Sequence, residues 1–443
     1  MLPGPKKELS LFDSTCIIVG IIIGVGIYET APIVAASMGS WKGALSIWLV
    51  GGVLALTGAL CYAELSTAYP QDGGDYVYQS RAYGSWAGYL FGWSQLVVVR
   101  PADIALMSFV FARYSRILFA PQQNGRFFYA AGAVVVLTLI NILGVREGKW
   151  TQNLLTVIKT LGLLCIITAG LTAPGTPLHQ EQASAVTMGG LELALILVLF
   201  TFGGWNEMAY VAAEVKQPQR NIVRALVIGT TTVTALYLLA NGAFLYALGY
   251  NGMSSSQAVA VDTIMNIFPG MAAKVIGILI SISALGVING LIFTGARISY
   301  ALGAEHPTFR VLGGWNRRLG TPVSALVTQG CLSLAIIFLA GSFINTILYT
   351  APAVWLFFLA TGLSVFKLRS KEPRTPRPYK VTGHPFTTGV FCVSCVFMLY
   401  SSISYALSRK PLGLLVLACV LLSGFFIFRL TEGNRVPHQM KQA

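Results

Sequence analysis

Stretches of about 20 apolar residues recur along this chain, and their recurrence limits its fold more than any other feature. A helix of that length crosses the roughly 30 Å hydrocarbon core of a bilayer with its backbone hydrogen bonds satisfied internally. With 55% hydrophobic and 10% charged residues, the chain is far too apolar for a water-soluble globule. Twelve windows are present, at approximately 11–37, 42–68, 84–112, 127–145, 151–172, 187–212, 222–248, 271–300, 322–340, 343–367, 386–407 and 411–429. The sequence predicts an all-α membrane protein with twelve transmembrane helices.

The lysines and arginines are distributed unevenly between the loops that join these windows. With the N-terminus in the cytoplasm, 21 of the 30 cations fall on the cytoplasmic side and seven outside, as the positive-inside rule requires. The net charge of +14 thus follows topology and indicates no nucleic-acid partner. The first window lacks a small-residue cleavage site, so we expect it to stay as a span. These features predict one domain, residues 1–443, in the inner (plasma) membrane with both termini cytoplasmic.

Histidine and cysteine positions give no indication of catalysis or metal binding. All four histidines lie in predicted loops or the C-terminal tail, and the seven cysteines lie in or beside apolar windows. Neither a disulfide framework nor a zinc site is expected there. No span carries a ring of polar residues that would line a channel. We therefore expect a carrier without cofactor or metal, and neither an enzyme nor a channel.

Two clusters of glycine interrupt the first and the sixth window near their middles. The first, IIVGIIIGVGIYETAP, contains Gly24 and Gly26, and the second, LFTFGGWNEMAY, contains Gly203 and Gly204. Each glycine weakens a helix by about 1 kcal/mol, so each cluster can open a turn of backbone. Hydrocarbon tolerates an opened turn only where it lines a cavity. Its amides suit an anionic group and its carbonyls a cationic one, which together match a zwitterionic amino acid.

The two interrupted helices lie five spans apart, as expected for an inverted repeat. Spans 1–5, about residues 11–172, form the first predicted copy, and spans 6–10, about 187–367, form the second. Spans 11 and 12, about 386–429, lie outside the repeat. The predicted architecture is a five-plus-five inverted repeat in which helices 1 and 6 break at mid-membrane.

Charged residues within or beside the spans are candidates for function, because they are costly in a membrane. Lys159 lies about eight residues into its span, or roughly 12 Å, which is deep for a side chain that snorkels to the interface. Arg100 either faces the pathway or pairs with Asp103 one turn on. Glu29 and Glu207 follow the two breaks, where they can attract a cationic side chain, carry a proton or stand at the rim of a vestibule.

Several strings resemble the L-type amino acid transporter (LAT) family of the amino acid–polyamine–organocation (APC) superfamily. They are IIVGIIIGVGIY, GALCYAEL, GGDYVY, the pair Arg100 and Pro101, FGGWNE with AEVKQPQRNI, and SALGVINGLIFTGARISY, in the family's order over roughly residues 11–365. The resemblance implies the five-plus-five fold shared with LeuT-type transporters, alternating access, and sodium-independent transport of amino acids, commonly by exchange.

Carried over residue by residue, the resemblance places the substrate at the two breaks. Amides of the first break would bind the substrate carboxylate, and carbonyls of both breaks would bind its ammonium group. The residues implied in substrate binding are Ile22, Gly24, Val25, Gly26, Phe200, Thr201 and Gly203. Phe200 stands where the family has an aromatic lid over the substrate.

The resemblance also implies residues that gate or couple transport. Lys159 would replace the cation of sodium-coupled relatives and brace carbonyls of span 1 against hydroxyls of span 8, such as Ser281 or Ser283. The remaining residues expected in gating or coupling are Phe200, Trp205, Asn206, Glu207 and Arg100. Glu64 and the GGDYVY string, near the cytoplasmic end of span 2, are expected in gating and helix anchoring.

Two departures from the family pattern bear on substrate and partner. Val25 stands where family members often have a hydroxyl, and its bulk favours small neutral substrates: alanine, serine, cysteine, glycine or threonine. The loop between spans 3 and 4 lacks the cysteine that links animal members to a heavy chain, so we expect a prokaryotic protein without that partner. The alternative is a proton-coupled amino acid symporter, or a symporter of cationic amino acids or amines, of the same superfamily.

Overall fold

The protein is described by a computed structural model over residues 5–119, 125–176, 186–265, 269–340, 343–409 and 411–431. Residues 1–4 and 432–443, which carry the predicted cytoplasmic termini, lie outside the described residues. Within the described ranges the regular structure is helical, apart from two isolated β-bridges, Leu9 with Val215 and Asn316 with Thr321.

Within the described ranges, the helices follow the predicted windows closely. Their bounds are α1 Leu11–Ile22, α2 Gly26–Met38, α3 Trp41–Ala68, α4 Asp75–Tyr83, α5 Ser85–Ser94, α6 Arg100–Phe119, α7 Gly125–Leu143, α8 Val145–Thr172, α9 Met188–Thr201, α10 Glu207–Tyr210, α11 Pro218–Ser255, α12 Val259–Met265, α13 Ala272–Glu305, α14 Val323–Ala340, α15 Phe343–Lys371, α16 Phe386–Arg409 and α17 Pro411–Thr431. A π-helical segment, Gln95–Val99, joins α5 to α6. The short helices α4 and α12 lie in predicted loops.

The lengths and compositions of these helices confirm an all-α membrane protein. Among the described residues, eight helices are long and apolar enough to cross a bilayer, and the bent pair α1 and α2 makes a ninth. Three shorter apolar helices, Phe127–Leu143, Met188–Thr201 and Val323–Leu339, occupy the remaining predicted windows. The count of twelve spans and the inverted repeat stay predictions.

The first glycine cluster separates α1 from α2. Ser10 caps α1 by accepting a hydrogen bond from the Asp13 amide, and the Asp13 carboxylate accepts one from the Ser10 amide. Helical geometry ends at Ile22, and the chain resumes as α2 at Gly26, at an angle of 49° to α1. The first amides of α2 have no acceptor within their own helix. The break therefore exposes backbone donors, as the glycine cluster predicts.

The second glycine cluster separates α9 from α10. Helix α9 ends at Thr201, and α10 begins at Glu207 after a run of turns. The Gly203 amide donates to the Phe200 carbonyl at 3.0 Å, and the Glu207 amide donates to the Gly204 carbonyl at 3.2 Å. The ladder of helical hydrogen bonds is thus replaced by short local turns.

The two breaks touch each other, and glycine makes this approach possible. Gly204 has φ +120°, and a Cβ there would lie 2.6 Å from Ile21 Cγ2. A Cβ on Gly26 would lie 2.9 Å from the side chain of Thr201, and the hydroxyl oxygens of Thr30 and Thr201 are 3.1 Å apart. The interrupted helices therefore cross closely, with a glycine of each break packed against a side chain of the other.

Backbone and ion-pair contacts close the end of the bundle that is predicted to be cytoplasmic. The amides of Glu8 and Leu9 donate to the Glu214 carbonyl, each at 2.8 Å, which joins the segment before α1 to the segment after α10. Arg297 of α13 and Glu214 form an ion pair at 2.7 Å in which neither side chain is exposed. Burial, and then the negative charge of Glu214, raise the pKa of the nearby Asp72 carboxyl well above its ordinary value.

Two further carboxylates anchor helices at this end. Asp13 of α1 accepts hydrogen bonds from Asn153 of α8 at 2.6 Å and from Lys149 at 3.3 Å. Glu64 of α3 accepts two hydrogen bonds from Arg369 of α15, at 2.8 and 2.5 Å, and one from the Val381 amide. These contacts tie α1 to α8 and α3 to the connection between α15 and α16.

Replacement of Gly204 tests the crossing of the interrupted helices. We expect Gly204→Ala to destabilise the protein by about 1–3 kcal/mol, because its Cβ meets Ile21 and its φ is unfavourable for alanine. Gly242→Ala in α11 is the matched control: no atom lies within 4 Å of the added Cβ, and alanine favours helix. Thermal aggregation of the detergent-solubilised variants measures the difference. Equal midpoints for the two variants would contradict the close crossing.

Candidate functional site

A cavity of about 200 Å³ lies where the two breaks meet, bordered also by α6, α13 and α15. Its lining contains backbone from both breaks, apolar side chains and a few charged ones. Among the predicted site residues, those that line it are Ile22, Gly24, Val25, Gly26, Arg100, Phe200, Thr201, Gly203, Trp205, Asn206 and Glu207. Lys159, Ser281 and Ser283 lie outside the lining.

The carbonyls of the first break are largely occupied by protein donors. The Ile22 carbonyl accepts hydrogen bonds from the Gly24 amide at 2.7 Å and from the Tyr237 hydroxyl at 2.8 Å. The Ile23 carbonyl accepts from the Ser283 hydroxyl at 2.9 Å. The amides of Val25 and Gly26 stand beside the cavity at the start of α2, where the helix dipole favours an anionic group.

Aromatic side chains surround the second break. Phe200 lines the cavity and is 41% exposed, the only exposed ring among the large side chains of the break itself. Trp205 is buried and packs edge-to-face on Tyr62, with ring centroids 5.0 Å apart. Phe200 is therefore the ring with room to move over an occupant, whereas Trp205 is held in place.

Lys159 reaches the first break from behind. Its side chain is 2% exposed, so it does not snorkel toward an interface. The ammonium group donates to the Gly20 carbonyl and, at 3.4 Å, to the backbone carbonyl of Ser283. Lys159 thus connects α1 with α13 through carbonyl oxygens.

The two serines of α13 differ in their contacts. The Ser283 hydroxyl bonds the first break directly and not Lys159. The Ser281 hydroxyl is buried and has no hydrogen-bond partner among the described residues. The expected hydroxyl contacts of Lys159 are therefore replaced by a backbone contact, because the Ser283 hydroxyl turns toward Ile23.

Arg100 and Glu207 form an ion pair that lines the cavity. Arg100 Nη2 donates to Glu207 Oε1 at 2.7 Å, and each residue is only 4% exposed. The other Glu207 oxygen accepts from the Thr294 hydroxyl at 2.5 Å. Arg100 therefore lines the predicted pathway, and its ion-pair partner is Glu207 of α10 and not Asp103. Glu207 is buried and does not stand at an exposed rim.

The π-helical segment before Arg100 was not predicted. A π-helical turn contains one extra residue and turns the residues that follow it, and such turns occur frequently at functional sites. Here Gln95 and Val99 of the segment line the cavity with Arg100. The unbroken apolar run before Arg100 gives no sign of this change in helical geometry.

Asp75 links the region of the cavity to the end predicted to be cytoplasmic. Its carboxylate accepts hydrogen bonds from the hydroxyls of Tyr62, Thr361 and Tyr210, the last at 2.7 Å. The Tyr210 ring lies 5.1 Å from the guanidinium carbon of Arg100. Asp75 thus holds α3, α10 and α15 together next to the Arg100–Glu207 pair.

Glu29 lies at the other end of the bundle. It accepts a hydrogen bond from Tyr114 at 2.5 Å and forms an ion pair with Arg113 at 3.5 Å. The Arg113 side chain is 71% exposed. Glu29 is therefore a half-buried surface carboxylate, in contrast to Glu207.

Apolar helices packed around a central cavity, with backbone groups exposed at two breaks, define a multi-pass membrane protein with a small-molecule site. A family model described as amino acid permease matches residues 9–425. The mouse b(0,+)-type amino acid transporter 1 is 34% identical over 389 residues, covering 85% of this chain and 79% of the mouse protein. The human protein of that name is 33% identical over 388 residues, with the same coverage.

A second kind of relative gives the same result. The mouse large neutral amino acids transporter small subunit 2 is 34% identical over 389 residues, covering 85% of this chain and 73% of the mouse protein. The chain belongs to the amino acid permease family, and the resemblance to the LAT family of the APC superfamily is confirmed. It is a transporter and not an enzyme.

The buried and exposed ion pairs allow a paired test. Arg100→Gln leaves the Glu207 carboxylate buried without its cation, which we expect to cost about 3–5 kcal/mol of stability. Arg113→Gln removes a partner from the exposed pair with Glu29 and should cost at most about 1 kcal/mol. Melting temperatures of both purified variants provide the measurement. A similar small shift in both would show that the Arg100–Glu207 pair does not form.

Proposed function

We propose that this protein is a sodium-independent exchanger of small neutral L-amino acids such as alanine, serine, cysteine and glycine. The observation that carries the proposal is the meeting of both interrupted helices at one cavity, which residues of both breaks line. The first amides of α2 have no acceptor within their helix, and the turns of the second break supply carbonyls. Amides suit the substrate carboxylate, and carbonyls suit its ammonium group.

The site assignment favours the second break as the partner of the ammonium group. The Ile22 carbonyl already accepts two hydrogen bonds from the protein. The Phe200 carbonyl accepts only from within its own turn, and Gly203 lines the cavity. We infer that Gly24, Val25 and Gly26 bind the carboxylate, that Phe200, Thr201 and Gly203 bind the ammonium group, and that Ile22 shapes the turn between them.

The names of the relatives support an amino acid as the substrate. Small side chains are favoured because Val25 and Phe200 both line the space beyond the backbone groups. The relatives include a large neutral amino acids transporter subunit, so the preference for small substrates rests on these two residues of this chain.

Lys159 supports sodium independence. Its ammonium group occupies the space between α1 and α13 and donates to one carbonyl of each helix. In a sodium-coupled transporter, such carbonyls would be free to coordinate the cation. A fixed positive charge there holds the first break in shape without an ion from solution. The expected role of Ser281 and Ser283 is to line this junction, with Ser283 bonded to Ile23.

Alternating access follows if the two five-helix repeats, about 11–172 and 187–367, move relative to each other. Opening toward the cytoplasm would break the contacts at the predicted cytoplasmic end, including Arg297 with Glu214 and Lys149 with Asp13. The residues assigned to gating or coupling beside the cavity are Arg100, Trp205, Asn206 and Glu207. We place the protein in the inner (plasma) membrane with cytoplasmic termini and without a disulfide-linked heavy chain.

The alternative of a proton-coupled or cation-transporting symporter depends on Glu29 and Glu207. Glu207 is satisfied by Arg100 and Thr294, so a proton or cationic substrate would have to displace one of them. Glu29 is bonded to Tyr114 and Arg113 away from the cavity. The contacts of both carboxylates therefore favour the exchanger.

Counterflow in proteoliposomes tests the proposed mode of transport. We expect labelled alanine to leave preloaded vesicles only when an external amino acid is present, in sodium-free buffer and with no dependence on a pH gradient. Efflux into buffer without amino acid would exclude obligatory exchange, and uptake that follows an imposed proton gradient would establish the symporter instead. Uptake that requires sodium would remove the assigned role of Lys159.

Replacement of Lys159 tests the basis of sodium independence. Each charge-assisted hydrogen bond is worth about 1.5–3 kcal/mol, so Lys159→Met should lower sodium-free exchange about tenfold or more. Leu161→Met, at an exposed position of the same helix, should leave exchange unchanged. Initial rates at equal protein content compare the two. Full activity of Lys159→Met would contradict the bracing role.

A further inference from the structure

One wall of the cavity is polar, and the proposed carboxylate and ammonium contacts do not use it. We call it the polar wall; it consists of Gln95, Arg100, Asp103 and Glu207, which all line the cavity. Its ion pair is almost fully buried, so the wall is part of the protein interior. The π-helical segment Gln95–Val99 directly precedes Arg100 and sets the direction in which Arg100 and Asp103 face.

Arg100 uses only part of its hydrogen-bonding capacity. Nη2 donates to Glu207 at 2.7 Å, and Nε donates to Gln95 Oε1 at 3.1 Å. Nη1 is buried and has no hydrogen-bond partner among the described residues. A buried donor without an acceptor costs about 1–3 kcal/mol, so an occupant of the cavity that supplies an oxygen is favoured.

Asp103 supplies the complementary group. It lies three residues after Arg100 in α6, so both side chains are on the same helical face. It lines the same cavity and makes no hydrogen bond or ion pair with any described residue. The polar wall therefore presents a free donor at Arg100 and a free acceptor at Asp103 side by side.

The charges of the wall exclude acidic side chains, and its unpaired donor disfavours cationic ones. Glu207 already neutralises the guanidinium of Arg100, so an acidic side chain would meet the carboxylate of Asp103 without a free cation to compensate. A cationic side chain could pair with Asp103, but it has only donors and would leave Arg100 Nη1 without an acceptor. A neutral group that both accepts and donates satisfies the two residues together.

We propose that the polar wall selects, among neutral amino acids, those with a hydroxyl or carboxamide side chain. The side-chain oxygen accepts from Arg100 Nη1, and the side-chain O–H or N–H donates to Asp103. This inference rests on the proposed function and narrows its substrate class. A site that hydrogen-bonds a substrate discriminates strongly against an analogue of the same shape that lacks the polar group.

Competition between side chains of similar shape tests the proposal. Each competitor is added separately, and the concentration that halves uptake of labelled alanine into proteoliposomes is measured. Threonine is compared with valine and asparagine with leucine, and aspartate and lysine are tested in the same way. We expect the polar member of at least one pair to inhibit at about tenfold lower concentration, with aspartate and lysine weaker than either. The ratio of the two inhibitory concentrations within a pair does not depend on the amount of protein or on its turnover rate.

Two substitutions at Asp103 attribute that ratio to the polar wall. Asp103→Leu removes the acceptor, leaves only the contact with Arg100, and should lower the ratio severalfold. Asp103→Asn keeps a carbonyl oxygen of similar placement and should retain most of it. Melting temperatures of both variants verify that they fold.

The outcomes separate this inference from the proposed function. Equal inhibition within both pairs, stronger inhibition by aspartate or lysine, or a ratio unchanged in Asp103→Leu would overturn the polar wall while alanine exchange still stands. If the unaltered protein takes up no amino acid, the proposed function fails and this inference fails with it.

Discussion

Hydrocarbon offers no partner to a peptide group, and the central part of this protein is organised around that constraint. Two apolar helices are interrupted, and other parts of the protein donate hydrogen bonds to the backbone carbonyls that the first interruption exposes. At and just before the first break, the ammonium of Lys159 donates to the Gly20 carbonyl, and the hydroxyls of Tyr237 and Ser283 donate to the carbonyls of Ile22 and Ile23. The amides at the start of α2 have no acceptor within their own helix, and their residues line the cavity. The protein thus bonds several carbonyls at this break and keeps donors for an occupant.

The buried charges, like the carbonyls of the first break, are bonded to partners within the protein. Arg100 with Glu207 beside the cavity, and Arg297 with Glu214 at the predicted cytoplasmic end, are each held in a close pair away from solvent. Asp75 accepts hydrogen bonds from three hydroxyls, one of them from Tyr210, whose ring lies near Arg100. A change in the cavity that moves Arg100 therefore reaches contacts of α3 and α15 through one aromatic residue.

Much of the fold could be predicted from the sequence, because apolar length and glycine clusters act locally. The helix bounds follow the apolar windows, and the interruptions lie at the predicted glycines. Partners could not be predicted in this way. Glu207 lies 107 positions from Arg100, and a helical period does not show that α6 faces α10. The π-helical segment escaped prediction because its residues, QLVVV, are ordinary helix or strand formers without a glycine or proline.

The bridge between Leu9 and Val215 has a mechanical consequence. It joins the segment that leads into α1 with the segment that follows α10, so these two half-helices share one attachment at the end predicted to be cytoplasmic. At their other ends they meet at Gly204, whose backbone lies against Ile21 and the Ile22 amide. Helix α1 has 12 residues and is therefore about 18 Å long. Two elements fixed together at both ends behave as one lever, with Gly204 as its fulcrum. A small rotation of this unit about Gly204 therefore moves the end at the Leu9–Val215 bridge much farther than the end at the cavity, because α1 separates the two by about 18 Å.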